Sequence, residues 1–267
     1  MIDQGKKNVL GVEVDAVDYE AAVARIVSAA KSSRPYSCTA LAVHGVMTGV
    51  LDPEQRYRLN GLDLVTPDGQ PVRWALNALH GAGLPDRVYG PTLTLHICEA
   101  AAREGLSIYL FGSRPATVQR LSEELTSRFP ELEVAGAEPS SFRQLTSAEH
   151  QALIGRIRGS GAAIAFVGLG CPRQEVFAYE CSKGLSMPVI AVGAAFDYHA
   201  GEQIEPPMWV QRLGLQWAHR LGQDPRRLWK RYLGLNSLYV ILLALQLLRL
   251  WRPRPTGSPP RERHLYG

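Results

Sequence analysis

The sequence predicts an α/β protein, a Rossmann-like and mostly parallel sheet with helices on both faces, followed by a basic helical C-terminal appendage. Three observations carry that expectation. Short apolar runs such as SIYLFG (107–112), AAIAFVGLG (162–170) and PVIAVGAAF (188–196) read as strands buried on both faces. Helix-length amphipathic stretches separate them, which is the βαβ alternation of a doubly wound fold. Beyond Gly201 the texture changes and becomes rich in Trp, Arg and Leu.

Taken in order, NVLGVEVDAV (8–17) reads as a strand or hairpin, 18–31 as a helix and 37–43 as a strand. The apolar LDLV (62–65) runs straight into the turn sequence Thr-Pro-Asp-Gly. SIYLFG ends at Gly112 and is followed by a helical pattern over 115–128. LEVAG (132–136) is a short strand, 147–158 a helix, 162–170 a strand, and a further helix runs from Gln174 to the strand at 188–196. The expected division is a catalytic α/β body at 1–204, a basic and apolar appendage at 205–252, and a Pro/Arg-rich tail at 253–267 without fixed order.

With 267 residues, 46% hydrophobic and 20% charged, most of the chain is neither disordered, collagenous nor coiled coil. A core of this size needs no disulfide staples. Cys38, Cys98, Cys171 and Cys181 form no CxxC pair, so a structural zinc site is not expected and the thiols read as reduced. His80, His96 and His219 fit no metal or triad spacing, and neither does His44. The N-terminus lacks the apolar run of an export signal, so the chain is read as cytoplasmic.

Charge is unevenly placed. From Glu205 onward 11 Lys/Arg face 3 Asp/Glu, whereas the first 204 residues hold 18 against 22. Such a tail suits an anionic partner: nucleic acid, an anionic membrane surface or a pyrophosphate. Residues 232–248 carry no charge, at the short end for crossing a bilayer. Trp229, Trp251 and the flanking arginines sit where interfacial anchors would, which favours a helix lying in the membrane surface. A buried or oligomer-interface helix and a true span are the alternatives.

In an open α/β sheet, ligands bind beyond the carboxyl ends of the strands. Four polar loops fall there: TPDG (66–69), GSRP (112–115), GLGCPRQE (168–175) and AAFDYHAG (194–201). Their glycines, Gly112, Gly168 and Gly170 among them, let backbone N–H groups approach an anion. GLGCPRQE is a broken dinucleotide fingerprint, because Arg173 stands at its third glycine position; a bound NAD is not expected. Asp68 is either a turn residue or a site carboxylate. Asp197 is either a cap or a site residue, and Arg87 is either a surface arginine or part of the site. Gln174 and Glu175 open a helix, where Glu is common for dipole and capping reasons.

In order and spacing, PDG (67–69), RVYGP (87–91), LFGSRP (110–115), VGLGCPRQE (167–175), VGAAFDYHAG (192–201), GLQWAHRL (214–221) and DPRRLWKRY (224–232) resemble the WecG/TagA/CpsF glycosyltransferase family. The resemblance covers roughly residues 9–235. It implies inverting transfer from a UDP-sugar to a polyprenyl-pyrophosphate-linked saccharide, without an essential metal or cofactor, in surface polysaccharide biosynthesis at the inner face of the cell membrane. No nucleic acid is implied, and self-association is expected of so apolar an appendage. Carried over, Asp68 looks like the general base and Arg87 like a pocket arginine near the phosphates or leaving group. Gln174 and Asp197 look like substrate-pocket residues, and Arg220, Arg227 and Arg231 like arginines over the pyrophosphate. Three departures stand out: His44 near a usual Asn, Glu205-Pro206-Pro207 for Arg-Ala-Pro, and Gln216 for the Glu of a Glu-Trp pair. The His44 change bears on sugar recognition.

Overall fold

The computed structural model describes the backbone of residues 1–223 and 225–267, and every side chain except those of Arg220 and residues 223–233. The chain opens with a hairpin of β1 (Asp3–Val9) and β2 (Val12–Val17), which pair antiparallel. Leu10 and Gly11 both take positive φ at the turn, the backbone twist that a two-residue hairpin needs. Asp18 then caps α1 (Tyr19–Lys31) by accepting from the Ala21 N–H at 2.9 Å.

From there the βα alternation takes over. β3 (Tyr36–Leu41) leads through α2 (Val43–Leu51) and α3 (Pro53–Asn60) to β4 (Leu64–Pro67), α4 (Gln70–His80) and α5 (Gly90–Arg103). Next come β5 (Ile108–Gly112), α6 (Pro115–Arg128), β6 (Val134–Glu138) and α7 (Ser147–Gly159). β7 (Ile164–Gly168), α8 (Arg173–Cys181), β8 (Pro188–Ala191) and α9 (Ala195–His199) complete the body. The appendage adds α10 (Met208–Arg212), α11 (Gln216–Gln223) and α12 (Pro225–Leu247).

Six strands form one sheet in the order β4-β3-β8-β7-β5-β6, every pair parallel. Because side chains alternate across a strand, each strand feeds two cores. Ile108 and Leu110 of β5 pack with residues of α1, α5 and α6 on one face. Tyr109 and Phe111 pack on the other with the hairpin, α2, α4, α7 and α8. Apolar burial on both faces is what continuous runs such as IAFVG encode. The run at 188–196 divides, since only its first four residues are strand and the rest turn into α9. The helices α2 to α5 have no counterpart in the sequence-level expectations.

The appendage helix α12 packs on the body through one face. Tyr239 is buried, and its hydroxyl donates to the Pro71 carbonyl at 3.0 Å. The Gln246 side chain accepts from the Leu10 N–H at 2.9 Å and donates to the Asn8 carbonyl at 3.2 Å. Val240, Ile241 and Leu247 of the same helix stay exposed, as do Leu248 and Leu250 just beyond it. Among the described residues no helix is long and apolar enough to cross a membrane.

The tail departs from the expectation of disorder. Residues 253–267 run along the body, although they hold almost no regular structure. The Pro253 and Pro255 carbonyls accept from Asn8 and Asn60 side chains at 2.8 and 2.6 Å. Arg263 pairs with the largely buried Glu180 at 2.8 Å, and Leu145 N–H donates to the Leu265 carbonyl at 2.7 Å. Composition registers the lack of core-forming residues but not polar side chains elsewhere that wait for carbonyls. The fixed φ of proline also lowers the entropy lost on ordering the strap.

Candidate active site

A cavity of about 1060 Å³ lies over the carboxyl ends of β3 and β4 and the loops after β7 and β8. The sequence loops TPDG and GLGCPRQE and the first residues of AAFDYHAG meet there, which brings together Asp68, His44, Gly170 and Gln174. The other wall is the appendage, through residues 213–217 and α12 residues from Asn236 to Leu243.

Asp68 follows β4 directly, and its backbone N–H donates to the Leu41 carbonyl at 3.2 Å, which continues the sheet by one step. Its Oδ1 accepts from the Gly90 N–H at 2.6 Å. Gly90 opens α5, so a helix N-terminus faces this carboxylate. The turn reading and the site reading of Asp68 are therefore compatible: the turn aims the carboxylate into the cavity.

Arg87 is buried, and its guanidinium is committed to the appendage. It donates to Gln211 Oε1 at 2.9 Å and to Gln216 Oε1, and it lies 4.1 Å over the Tyr89 ring. The motif residue Gln216 thus acts as a neutral acceptor for Arg87. Gln211 Nε2 in turn holds the Pro206 carbonyl at 2.8 Å, so the Glu-Pro-Pro segment joins the same network. Tyr89 lines the cavity, and its buried hydroxyl has no partner among the described residues. Burial pushes that phenol well above its ordinary range.

Gln174 and Glu175 begin α8 and face the cavity floor. Glu175 is 1% exposed, and burial raises its carboxyl above the usual range. The sequence-level reading of Glu175 as a dipole or capping residue misses this. An acidic residue beside a glycine-rich strand end, within a helix packed on the sheet, was the available signal.

Other expected residues fall elsewhere. Gly112 and Gly168 lie outside the cavity lining and pair across β5 and β7. A Cβ on Gly112 would sit 2.6 Å from the Gly168 carbonyl oxygen, so their smallness serves strand approach. Asp197 also lies beside the lining rather than in it, and it accepts from Gln203 Nε2 at 3.2 Å and Ser113 Oγ at 3.4 Å. The link ties the GSRP loop to α9. Arg220, Arg227 and Arg231 lie outside the described side chains. Trp74, Tyr198 and Trp217 line the cavity without having been singled out in the sequence.

A parallel sheet with a cavity over its strand ends, polar on the body side and apolar beneath a C-terminal appendage, defines an α/β enzyme scaffold. The chain belongs to the glycosyl transferase WecG/TagA/CpsF family, whose model matches residues 7–253. That match takes in the body and α12, the two halves of the cavity wall.

Proposed function

We propose that this protein is an inverting glycosyltransferase that moves a sugar from a UDP-sugar to a polyprenyl-pyrophosphate-linked saccharide, in surface polysaccharide biosynthesis. Asp68 is the observation that carries the reading. It is a carboxylate at a strand end, held through one oxygen by a helix N-terminus and lining a cavity large enough for a sugar nucleotide. In the proposed step the acceptor hydroxyl attacks the anomeric carbon from the side opposite UDP. Asp68 takes the hydroxyl proton as the new bond forms, and the electron pair of the broken bond leaves with UDP. General-base help of this kind is worth about 10² to 10⁴ in rate.

Charge on departing UDP calls for positive groups. Arg173, which opens α8 at the cavity wall, is one candidate. Arg220, Arg227 and Arg231 of the appendage are proposed to act over the pyrophosphate. The cavity rim also suits a lipid-linked acceptor, since Leu213, Leu215, Val240 and Ile241 line it and are exposed. With Met208 and Trp209 nearby in sequence, they support docking at the inner membrane surface. No metal is proposed to take part.

The test is UDP release from a panel of UDP-sugars, with and without a synthetic prenyl-pyrophosphate-linked sugar, in detergent and EDTA. Acceptor-dependent release is expected. Asp68→Asn should still bind UDP while losing transfer by at least about 10². Unchanged transfer in that variant would remove Asp68 as the base.

A further inference from the structure

Glu175 is a buried carboxyl with no part in the proposed chemistry, and its hydrogen bonds are specific. One oxygen, Oε1, accepts both the Thr39 hydroxyl at 3.1 Å and Gln174 Nε2 at 2.9 Å. The Gln174 carbonyl oxygen, Oε1, accepts from the Gly170 N–H at 3.1 Å. Gly193, at φ +55, closes on the same amide, and a Cβ there would lie 3.2 Å from both its nitrogen and its oxygen. The Gln174 amide is thus wedged among the loops that follow β7 and β8, with β3 reached through Glu175.

The nitrogen and oxygen ends of an amide are nearly alike in shape, so its neighbours' donors and acceptors set its direction. Glu175 demands the nitrogen end and the Gly170 N–H demands the oxygen end. We infer that Glu175 is a positioning residue that fixes the direction of the Gln174 amide and so presents its second Nε2–H to an acceptor oxygen of the bound sugar nucleotide. Among the described residues that proton has no protein acceptor, and Gln174 lines the cavity. A leucine or methionine at 175 would fill the space but leave the nitrogen end without its acceptor, so that the Gly170 N–H alone would hold the amide's direction. The inference rests on the sugar-nucleotide reading of the cavity.

Two variants of the full chain test it. Glu175→Met keeps side-chain volume and removes the acceptor oxygens; Glu175→Gln keeps a carbonyl for Thr39 and Gln174. The first readout needs no substrate: the Gln174 side-chain amide resonance, assigned by Gln174→Leu, and its protection from solvent exchange. Protection is expected in the wild type and in Glu175→Gln, and lost in Glu175→Met. The second is transfer kinetics, with KM for the UDP-sugar raised about tenfold by Glu175→Met, little change in kcat, and recovery to within about threefold in Glu175→Gln. Protection retained in Glu175→Met, or lost in Glu175→Gln, would overturn the inference. A wild type that transfers no sugar removes the glycosyltransferase reading alone, since the exchange readout still decides whether Glu175 directs Gln174.

Discussion

On the body side of the cavity, Asp68, Gln174 and Glu175 are each tied by hydrogen bonds to a backbone N–H or to one another. On the appendage side the lining is largely apolar and partly exposed, and among the described residues its polar ties to the body include the two glutamines on Arg87, Tyr239 on Pro71 and Gln246 on the hairpin turn. The body wall is built for fixed geometry, as chemistry at an anomeric carbon requires. The appendage wall leaves apolar side chains exposed at the cavity rim, and Arg87 with its two glutamines forms a polar latch between the walls.

The largest effect that separates the two walls is expected at the latch. Arg87→Met removes two charge-assisted hydrogen bonds, each worth about 1.5–3 kcal/mol, and leaves Gln211 and Gln216 without their donor. The appendage should then be cut early in limited proteolysis and transfer should fall at least tenfold, while the body's hydrogen-exchange protection is kept. Uniform loss of protection across the sheet would show instead that the latch belongs to the body's own stability.

A second variant addresses the exposed rim. Val240→Ser with Ile241→Ser leaves the buried face of α12 untouched and removes apolar surface from its outer face. Binding to anionic liposomes should weaken about tenfold or more, and transfer to a long-chain lipid-linked acceptor should fall with it. Equal vesicle binding by the double variant would sink the docking role of this rim.

The smallest expected effect lies far from both walls, and it serves as a control. Glu149 pairs with Arg143 and closes a capping box with Thr146, and these bonds, the Arg143 one foremost, lower its carboxyl to about 2 from the ordinary 4.5. A depressed folded-state value contributes stability above the unfolded value, and the contribution is lost as pH falls through the folded one. Glu149→Gln should therefore lower Tm slightly at pH 7, and the gap should close as pH falls from about 4.5 toward 2. Transfer at pH 7 should not change.

Much of the body could be read from sequence because its signals are local. The helix at 115–128 is bounded by Pro115 and Arg128 as expected, and β7 and β8 declare themselves by apolar runs between glycines. Asp68 and Gln174 belong to loops that the sequence places at strand ends, and the sheet brings those loops to one cavity. What escaped was set by tertiary partners. The role of Arg87 depends on glutamines more than a hundred residues away, and Glu175 is buried only because α8 lies on the sheet. α2 and α4 send their apolar residues into one core and α5 sends its own into the other, each from one helix face. The tail is ordered by asparagines and a glutamate that its own composition does not reveal.

The pairing of β3 with β8 sets the first strand of the parallel sheet beside the last. Thr39 and Glu175, which meet at the cavity floor, stand 136 residues apart in the chain. Contacts of such separation form late, because loop-closure entropy must be met before they are rewarded. The floor therefore does not exist until β8 has slotted between β3 and β7. Any ligand that grips it selects the finished sheet and stabilises it by mass action, so its binding during refolding would serve as a clock for the final strand.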